Sequence, residues 1–375
     1  MHKINYPHNI IDRNIIKDKY YTYLKYYNEA EINKYLVSVI LPDNTPLNLK
    51  KLVLLEFSEI IDLIPSLLNC SNLSGVISVG KGKKTYKTTR LNELFNYKIN
   101  QPTIAQFFME CEELNFKTCH YCGIEYINSF LDLDNYKDGV DFLNRANYFD
   151  LIKISGIKEK TAHKIISKRK RREFTKISQA SYSVDIINQL SSFNFKNGHN
   201  HFTLDHVLPQ KDYKFLSLCL FNFVPSCYSC NSKFKKAQNF TVNNHIKRIS
   251  PSSDLFSVHN DFKFKILYNG DFKKITKESD FLLFKKITGN RSQIENYLNI
   301  FKINGRYNFH KDKVLHLIKQ KVEYPKSRII ELSKLIRLSH TQIKELAFGK
   351  EIFVKDSNEP LIKLKKDIAE DLKII

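Results

Sequence analysis

The stretch Phe202-Thr203-Leu204-Asp205-His206-Val207-Leu208-Pro209 decides how the middle of this chain is read. Sixteen residues after His206 stands Asn222, then Phe-Val-Pro-Ser, then Cys227-Tyr228-Ser229-Cys230, with Asn231 directly behind the second cysteine. Upstream lies a matching pair in Cys119-His120-Tyr121-Cys122-Gly123. An Asp-His dipeptide alone carries no signal. Its weight comes from these elements standing in one order.

Two residues between cysteines let both thiolates face one point across a tight turn, and two such knuckles complete a tetrahedral site. One CxxC is compatible with a redox pair or with coincidence. Two of them, in a chain whose start MHKINYPHNIIDRN has no apolar leader segment, favour a structural zinc on Cys119, Cys122, Cys227 and Cys230 over disulfides. The pairs stand too far apart for a compact zinc ribbon, so a segment is inserted between them. Cys70, Cys111 and Cys219 lack partner spacing and read as core residues. His120 lies between two ligands as an alternative that four cysteines make unnecessary.

In this order the parts resemble the HNH endonuclease family, in its zinc-knuckle branch. That pattern is a CxxC, a strand ending in Asp-His and followed by a proline, a second strand opening on Asn, then CxxC-Asn and a basic helix. The matching pieces here are TCHYC, LDHVLP, NFVPSC, CYSCN and the Lys233, Lys235 and Lys236 cluster. The resemblance spans these core elements and not the flanking thirds of the chain. It implies an α+β protein with a ββα-metal core and a structural zinc that staples a core too small to stabilise itself. It implies that His206 is the general base, a role that an ordinary pKa near 6.5 suits. Asp205 and Asn231 would give oxygen ligands to one Mg²⁺ or Mn²⁺, and Asn222 would hold the connecting loop by hydrogen bonding. The third family position is often His; Asn231 stands there instead, which leaves open which atom binds metal. The competing reading is a zinc-dependent adaptor that grips nucleic acid without cutting it.

The insertion carries Leu151-Ile152-Lys153-Ile154-Ser155-Gly156-Ile157, followed by Ala162, Ile165, Ile166, Arg169 and Phe174. This resembles the helix-hairpin-helix DNA-binding motif, placed at 142–180. There a glycine at the hairpin's centre adopts positive φ and lets a phosphate approach backbone N–H groups, with a helix N-terminus beside it. Ala162 allows the helices to cross closely. Between Lys158 and Lys176 nine basic residues face Glu159 and Glu173, so 9 − 2 gives a local charge of +7. The resemblance assigns phosphate contacts to Gly156, Lys158, Lys160, Lys168, Arg169, Lys170, Arg171 and Arg172, with Lys233 and Lys235 added from the core. Such contacts read backbone and not bases. An ordinary helical hairpin with a solvated basic face is the alternative.

The 375 residues hold 60 Lys and Arg against 39 Asp and Glu, a formal charge of +21. Such a surplus suits a polyanionic partner, although a background rich in Lys, Ile and Asn, as AT-rich genomes give, contributes to it. No run of apolar residues is long enough to span a membrane, and the expected location is the cytoplasm. The chain is expected to divide into a helical 1–115, a nuclease core at 116–245 and a mostly helical 246–375. Within these, Val76-Ile77-Ser78-Val79 reads as a strand, Gly80-Lys81-Gly82 as a turn, and Phe262 to Phe272 as a hairpin bending at Asn269-Gly270. Amphipathic helices are expected from about Ser279 onward, including Val314–Val322 and Ile329–Leu338. Tyr20, Tyr21, Tyr23, Tyr26 and Tyr27 could stack on bases but read better as packing, and His310 as a cap or surface residue. The favoured substrate is DNA, with RNA as the enzyme alternative. The flanks together with the compact core look similar to effector nucleases of bacterial anti-phage systems such as Septu, which implies a restraining ATPase partner. A restriction-like or mobile-element nuclease is the rival.

Overall fold

In the segment Phe57–Asn69 the buried positions are Phe57, Ile60, Ile61, Leu63, Ile64 and Leu67, one face of a helix at i, i+3, i+4 and i+7. Asparagine opens most of its neighbours. Asn9, Asn28, Asn48 and Asn96 each accept a hydrogen bond from an amide of the helix's first turn, which satisfies donors that have no intrahelical partner. The helices are α1 (Ile10–Tyr23), α2 (Glu29–Leu36), α3 (Leu49–Leu54), α4 (Phe57–Asn69) and α5 (Tyr97–Glu110). The computed structural model describes residues 1–25, 28–69, 93–131, 136–180, 183–192, 198–236, 238, 240 and 242–375. The strand and turn expected at 76–82, Cys70 and the Tyr26-Tyr27 pair lie outside the described residues.

Strands among the described residues pair only two by two, all antiparallel. β1 (Ser129–Leu131) pairs with β2 (Gly198–Asn200), β3 (Thr203–His206) with β4 (Phe223–Ser226), and β5 (Phe262–Tyr268) with β6 (Phe281–Ile287). Helices with small antiparallel sheets are the mixed α+β architecture expected. The hairpin near residue 270 differs from its reading. Tyr268 pairs with Phe281, so twelve residues, 269–280, connect the strands, and Gly270 (φ +77°) only begins that connection. Phe281–Ile287, expected to be helical, is β6: its residues alternate in burial, a period of two. Helices resume at Arg291.

The chain forms two compact units, and they do not coincide with the three expected segments. Unit 1 is Met1–Asn128 with Phe202–Ile375. One apolar core runs through all three segments, joining Leu52 and Phe107 to Phe221 and Cys227 and to Tyr297 and Ile368. Its later helices are α10 (Ile246–Ile249), α11 (Arg291–Ile300), α12 (Ile303–Asn308), α13 (Lys311–Glu323), α14 (Lys326–Ile336), α15 (His340–Phe348) and α16 (Ile362–Asp371). Unit 2 is Ser129–His201, wider than the expected insertion at 142–180. It holds α6 (Gly139–Arg145), α7 (Tyr148–Leu151), α8 (Glu159–Arg171) and α9 (Val184–Ser192) around a separate core that includes Phe142, Leu143, Ile157, Ala162 and Leu190. No helix among the described residues is long and apolar enough to cross a membrane.

Candidate metal centre and the Asp205–His206 corner

The first cysteine pair sits in a tight turn. The Cys119 amide donates to the Glu125 carbonyl at 2.9 Å and the Gly123 amide to the Cys119 carbonyl at 2.8 Å. Gly123 takes φ +62°, and a Cβ there would come within 2.3 Å of the Met1 nitrogen, so only glycine fits. The second pair spans the end of β4 and the start of a seven-residue π-helix, Ser229–Lys235, which stands where a basic helix was expected. All four cysteines are buried and free, and their sulfurs lie within 4.8 Å of one another. Sulfurs around a tetrahedral zinc stand about 3.8 Å apart, given Zn–S bonds of about 2.3 Å. These four therefore could hold a metal such as zinc.

Arg306, from α12, closes this cluster. Its Nη1 donates to Cys230 Sγ at 3.2 Å, and its Nη2 to Cys122 Sγ at 3.4 Å and to Glu125 Oε1 at 2.7 Å. A four-thiolate zinc carries two net negative charges, and a guanidinium aimed at two sulfurs offsets part of that. Tyr307 donates its hydroxyl to the Cys122 carbonyl at 2.6 Å and Tyr297 to the Tyr121 carbonyl at 2.7 Å. The knuckle is thus braced from the C-terminal helices. Nothing in the spacing of Arg306, Tyr307 or Tyr297 announced this. His310, four residues on, stands at the N-cap position of α13 and its side chain makes no capping hydrogen bond.

Tyr121, between the first two cysteines, links the cluster to the Asp-His pair. Its ring stacks on Phe301 with centroids 4.4 Å apart, and its hydroxyl donates to Asp205 Oδ2 at 2.6 Å. Asp205 is the last residue but one of β3 and is almost wholly buried. Its other neighbour is Lys235, whose Nζ lies 3.0 Å from Oδ1, 2.9 Å from Oδ2 and 2.7 Å from the His206 carbonyl oxygen. Burial pushes the Asp205 carboxyl up, against the pull of Lys235 and the Tyr121 hydrogen bond. Lys235, expected to meet phosphate, is itself only 1% exposed. The π-helical winding turns it inward onto β3. Lys233 stays exposed.

His206 follows Asp205 with its ring between Tyr97 and Phe223, each centroid 4.7 Å away. Its Nε2 is 3.0 Å from the Ser217 carbonyl oxygen. A carbonyl only accepts, so Nε2 carries the proton and Nδ1 the lone pair. Gln210 Nε2 lies 3.2 Å from both ring nitrogens, while its Oε1 accepts from Lys214, which fixes the amide's orientation. The expectation of an ordinary imidazole is corrected here: burial lowers the His206 pKa to about 3, so the ring is neutral at any physiological pH.

Asn222 spans the β3–β4 connection. Its Oδ1 accepts from the Leu208 amide at 2.8 Å, and its Nδ2 donates to the Leu208 and Leu216 carbonyls at 3.1 Å. A fully buried amide thereby replaces the missing strand ladder. Asn231, half-buried on the π-helix, directs Nδ2 to the Leu204 carbonyl at 3.4 Å. Asp205, His206, Asn222 and Asn231 thus converge on one hairpin and the helical turn docked against it.

No family model matches the chain, and no curated protein or solved structure matches it either.

In unit 2, Gly156 takes φ +90°, with Ile186 carbon atoms 3.2 Å and 3.3 Å from where a Cβ would sit. The loop joins α7 to α8, and among the described residues the exposed Ser155 and Gly156 amides meet no protein acceptor. Ala162 is buried against this core. Lys158, Lys160, Lys168, Lys170, Arg171 and Arg172 are exposed. Arg169 is tied to its own unit: its Nη1 donates to the Leu143 and Ala146 carbonyls at 3.0 and 2.7 Å, closing the end of α6. Helical periodicity turned this one cation of the run toward the core.

A hard divalent ion takes oxygen ligands, and Asp205 with the Asn231 amide is a suitable donor pair. The carboxylate is already neutralised, however, by an ammonium touching both of its oxygens. With Lys235 in that position the residues do not fit a divalent ion.

Proposed function

We propose that this chain is an HNH-type endonuclease that hydrolyses phosphodiester bonds of DNA. The observation that supports this best is the tie from the cysteine cluster through the Tyr121 hydroxyl to Asp205, at the end of a hairpin that also presents His206 and on which the Asn231 turn is docked. In this reading the cluster is a structural zinc and β3, β4 and the π-helix are the ββα core. His206 is the base: Nε2–H is held by Ser217, and Nδ1 takes a proton from water once Gln210 gives way. The resulting hydroxide attacks phosphorus and the P–O3′ bond breaks. A phosphate anion beside the ring raises its basicity, opposing the effect of burial. Mg²⁺ or Mn²⁺, when bound, would neutralise charge on the phosphate and the departing oxygen. Asp205 and Asn231 would be its protein ligands only with Lys235 withdrawn from the carboxylate.

Unit 2 supports DNA as the polymer, since the positive-φ Gly156 hairpin with open amides and a basic helix behind it suits a phosphate backbone. An anti-phage role and a restraining ATPase partner belong to the same proposal. Plasmid DNA and a structured RNA offered side by side with Mg²⁺ test it. Cutting of the plasmid is the expected result; binding without cutting identifies the adaptor, and cutting of RNA alone the other enzyme.

A further inference from the structure

Lys235 is the buried cation that the nuclease reading leaves without a role. An ammonium with a 1% exposed side chain touches both oxygens of a 5% exposed carboxylate and a backbone carbonyl besides. Taking either partner away leaves an uncompensated buried charge, which costs several kcal/mol. A second cation at the same carboxylate would stand close to the ammonium, in surroundings too poorly solvated to screen the repulsion. We propose that Lys235 and a divalent cation exclude one another at Asp205, so that the site rests closed on its own lysine and loads metal only when Lys235 withdraws. This rests on reading Asp205 as a cation ligand.

The structure also supplies a means of withdrawal. Lys235 ends a π-helix, in which the Lys236 amide bonds the Asn231 carbonyl five residues back at 2.8 Å. π-Helical turns are rare and concentrate at functional sites. Lys236, a non-glycine residue at φ +47°, closes the turn in a backbone conformation that side chains disfavour. Rewinding to ordinary i→i+4 bonding rotates Lys235 about the axis relative to Asn231, away from Asp205, while Asn231 keeps its place behind Cys230. The exposed Lys233 and Lys236 flank Lys235 in sequence. An arriving phosphodiester would therefore offer the released ammonium a new anionic partner at the moment the carboxylate needs a new cation.

Mn²⁺ binding to the full chain, read by the electron paramagnetic resonance signal of the free ion, tests this. Lys235→Met should bind one Mn²⁺ at least tenfold more tightly than wild type, and Asp205→Asn added to it should abolish the gain. Binding by Lys235→Met that is no tighter than wild type overturns the inference. If that variant does not fold, the wild-type protein decides: reductive methylation of Lys235, followed by peptide mass, should rise when Mn²⁺ saturates the site, and an unchanged rate overturns the inference equally. Plasmid cleavage by wild type is scored separately. A protein that cuts DNA while Lys235→Met shows no gain keeps the nuclease reading and loses this one; the opposite pair of results does the reverse.

Discussion

The cysteine-anchored corner of unit 1 and the basic hairpin of unit 2 place their charged residues in opposite ways. At the corner Asp205, Lys235 and Arg306 are all largely buried, and each is held by more than one partner. On α8 and at its C-cap the cations Lys168, Lys170, Arg171 and Arg172 are exposed, while Arg169 turns inward. A buried network loses the desolvation cost of its partners when one member goes, whereas an exposed charge loses little. The corner should therefore fail as a unit, and the hairpin should change in graded steps.

The largest effect should come from the cysteines. Serine at Cys119, Cys122, Cys227 or Cys230 should remove about one zinc per chain and several kcal/mol of stability, because metal binding and folding are coupled in such sites. Elemental analysis with thermal melts checks this, and freshly purified protein without zinc would break the comparison at its base.

Acid comes next. His120 and His206 are buried, with pKa values lowered by burial to about 4 and about 3. Both rings stay neutral in the folded chain while the unfolded chain binds protons below pH 6.5, so stability is full above 6.5 and is lost as pH falls towards the folded values. Between pH 6.5 and 4.5 each ring should account for about 2.7 kcal/mol, at 1.36 kcal/mol per pH unit. His206→Gln should flatten the stability profile in that window by about this amount in urea melts.

A smaller loss is expected at Arg306. Arg306→Gln should cost about 2 kcal/mol, as a charge-assisted buried hydrogen bond does, and should speed zinc release to a chelator. An unchanged release rate would show that the sulfurs do not need the guanidinium.

The hairpin should move stability least. Neutral residues at Lys168, Lys170, Arg171 and Arg172 should leave stability within about 0.5 kcal/mol. Successive helical side chains point about 100° apart, so only part of the four can reach one backbone, and the slope of log affinity against log salt should flatten by about 2. Arg169→Ala should do the opposite, costing about 1–2 kcal/mol by leaving the Leu143 and Ala146 carbonyls unpaired, with little change in salt slope.

The same division governs what could be read from the sequence. Cysteine spacing identified the four residues that cluster, because a knuckle is a local turn and its two-residue gap is set by geometry. Gly156 was legible for the same reason: positive φ is a local demand. The partners of those residues were not. Arg306 lies 76 residues beyond Cys230, and Tyr121 reaches Asp205 across 84 positions, so only the folded core brings them together. Lys235 and Arg169 looked like members of basic runs, and a step of one or two residues around the helix separates an exposed cation from one turned inward. The β6 strand was misread because Phe281-Leu282-Leu283-Phe284 is apolar on both faces, and its alternation appears only once one face is covered.

His206→Ala gives the most direct test of the central claim. The substitution removes the lone pair at Nδ1 and leaves zinc, charge and the hairpin of unit 2 in place. With the variant's zinc content and DNA affinity at wild-type levels, supercoiled plasmid in Mg²⁺ should stay intact where wild type converts it to nicked or linear forms. Cleavage at the wild-type rate by that variant would contradict the account.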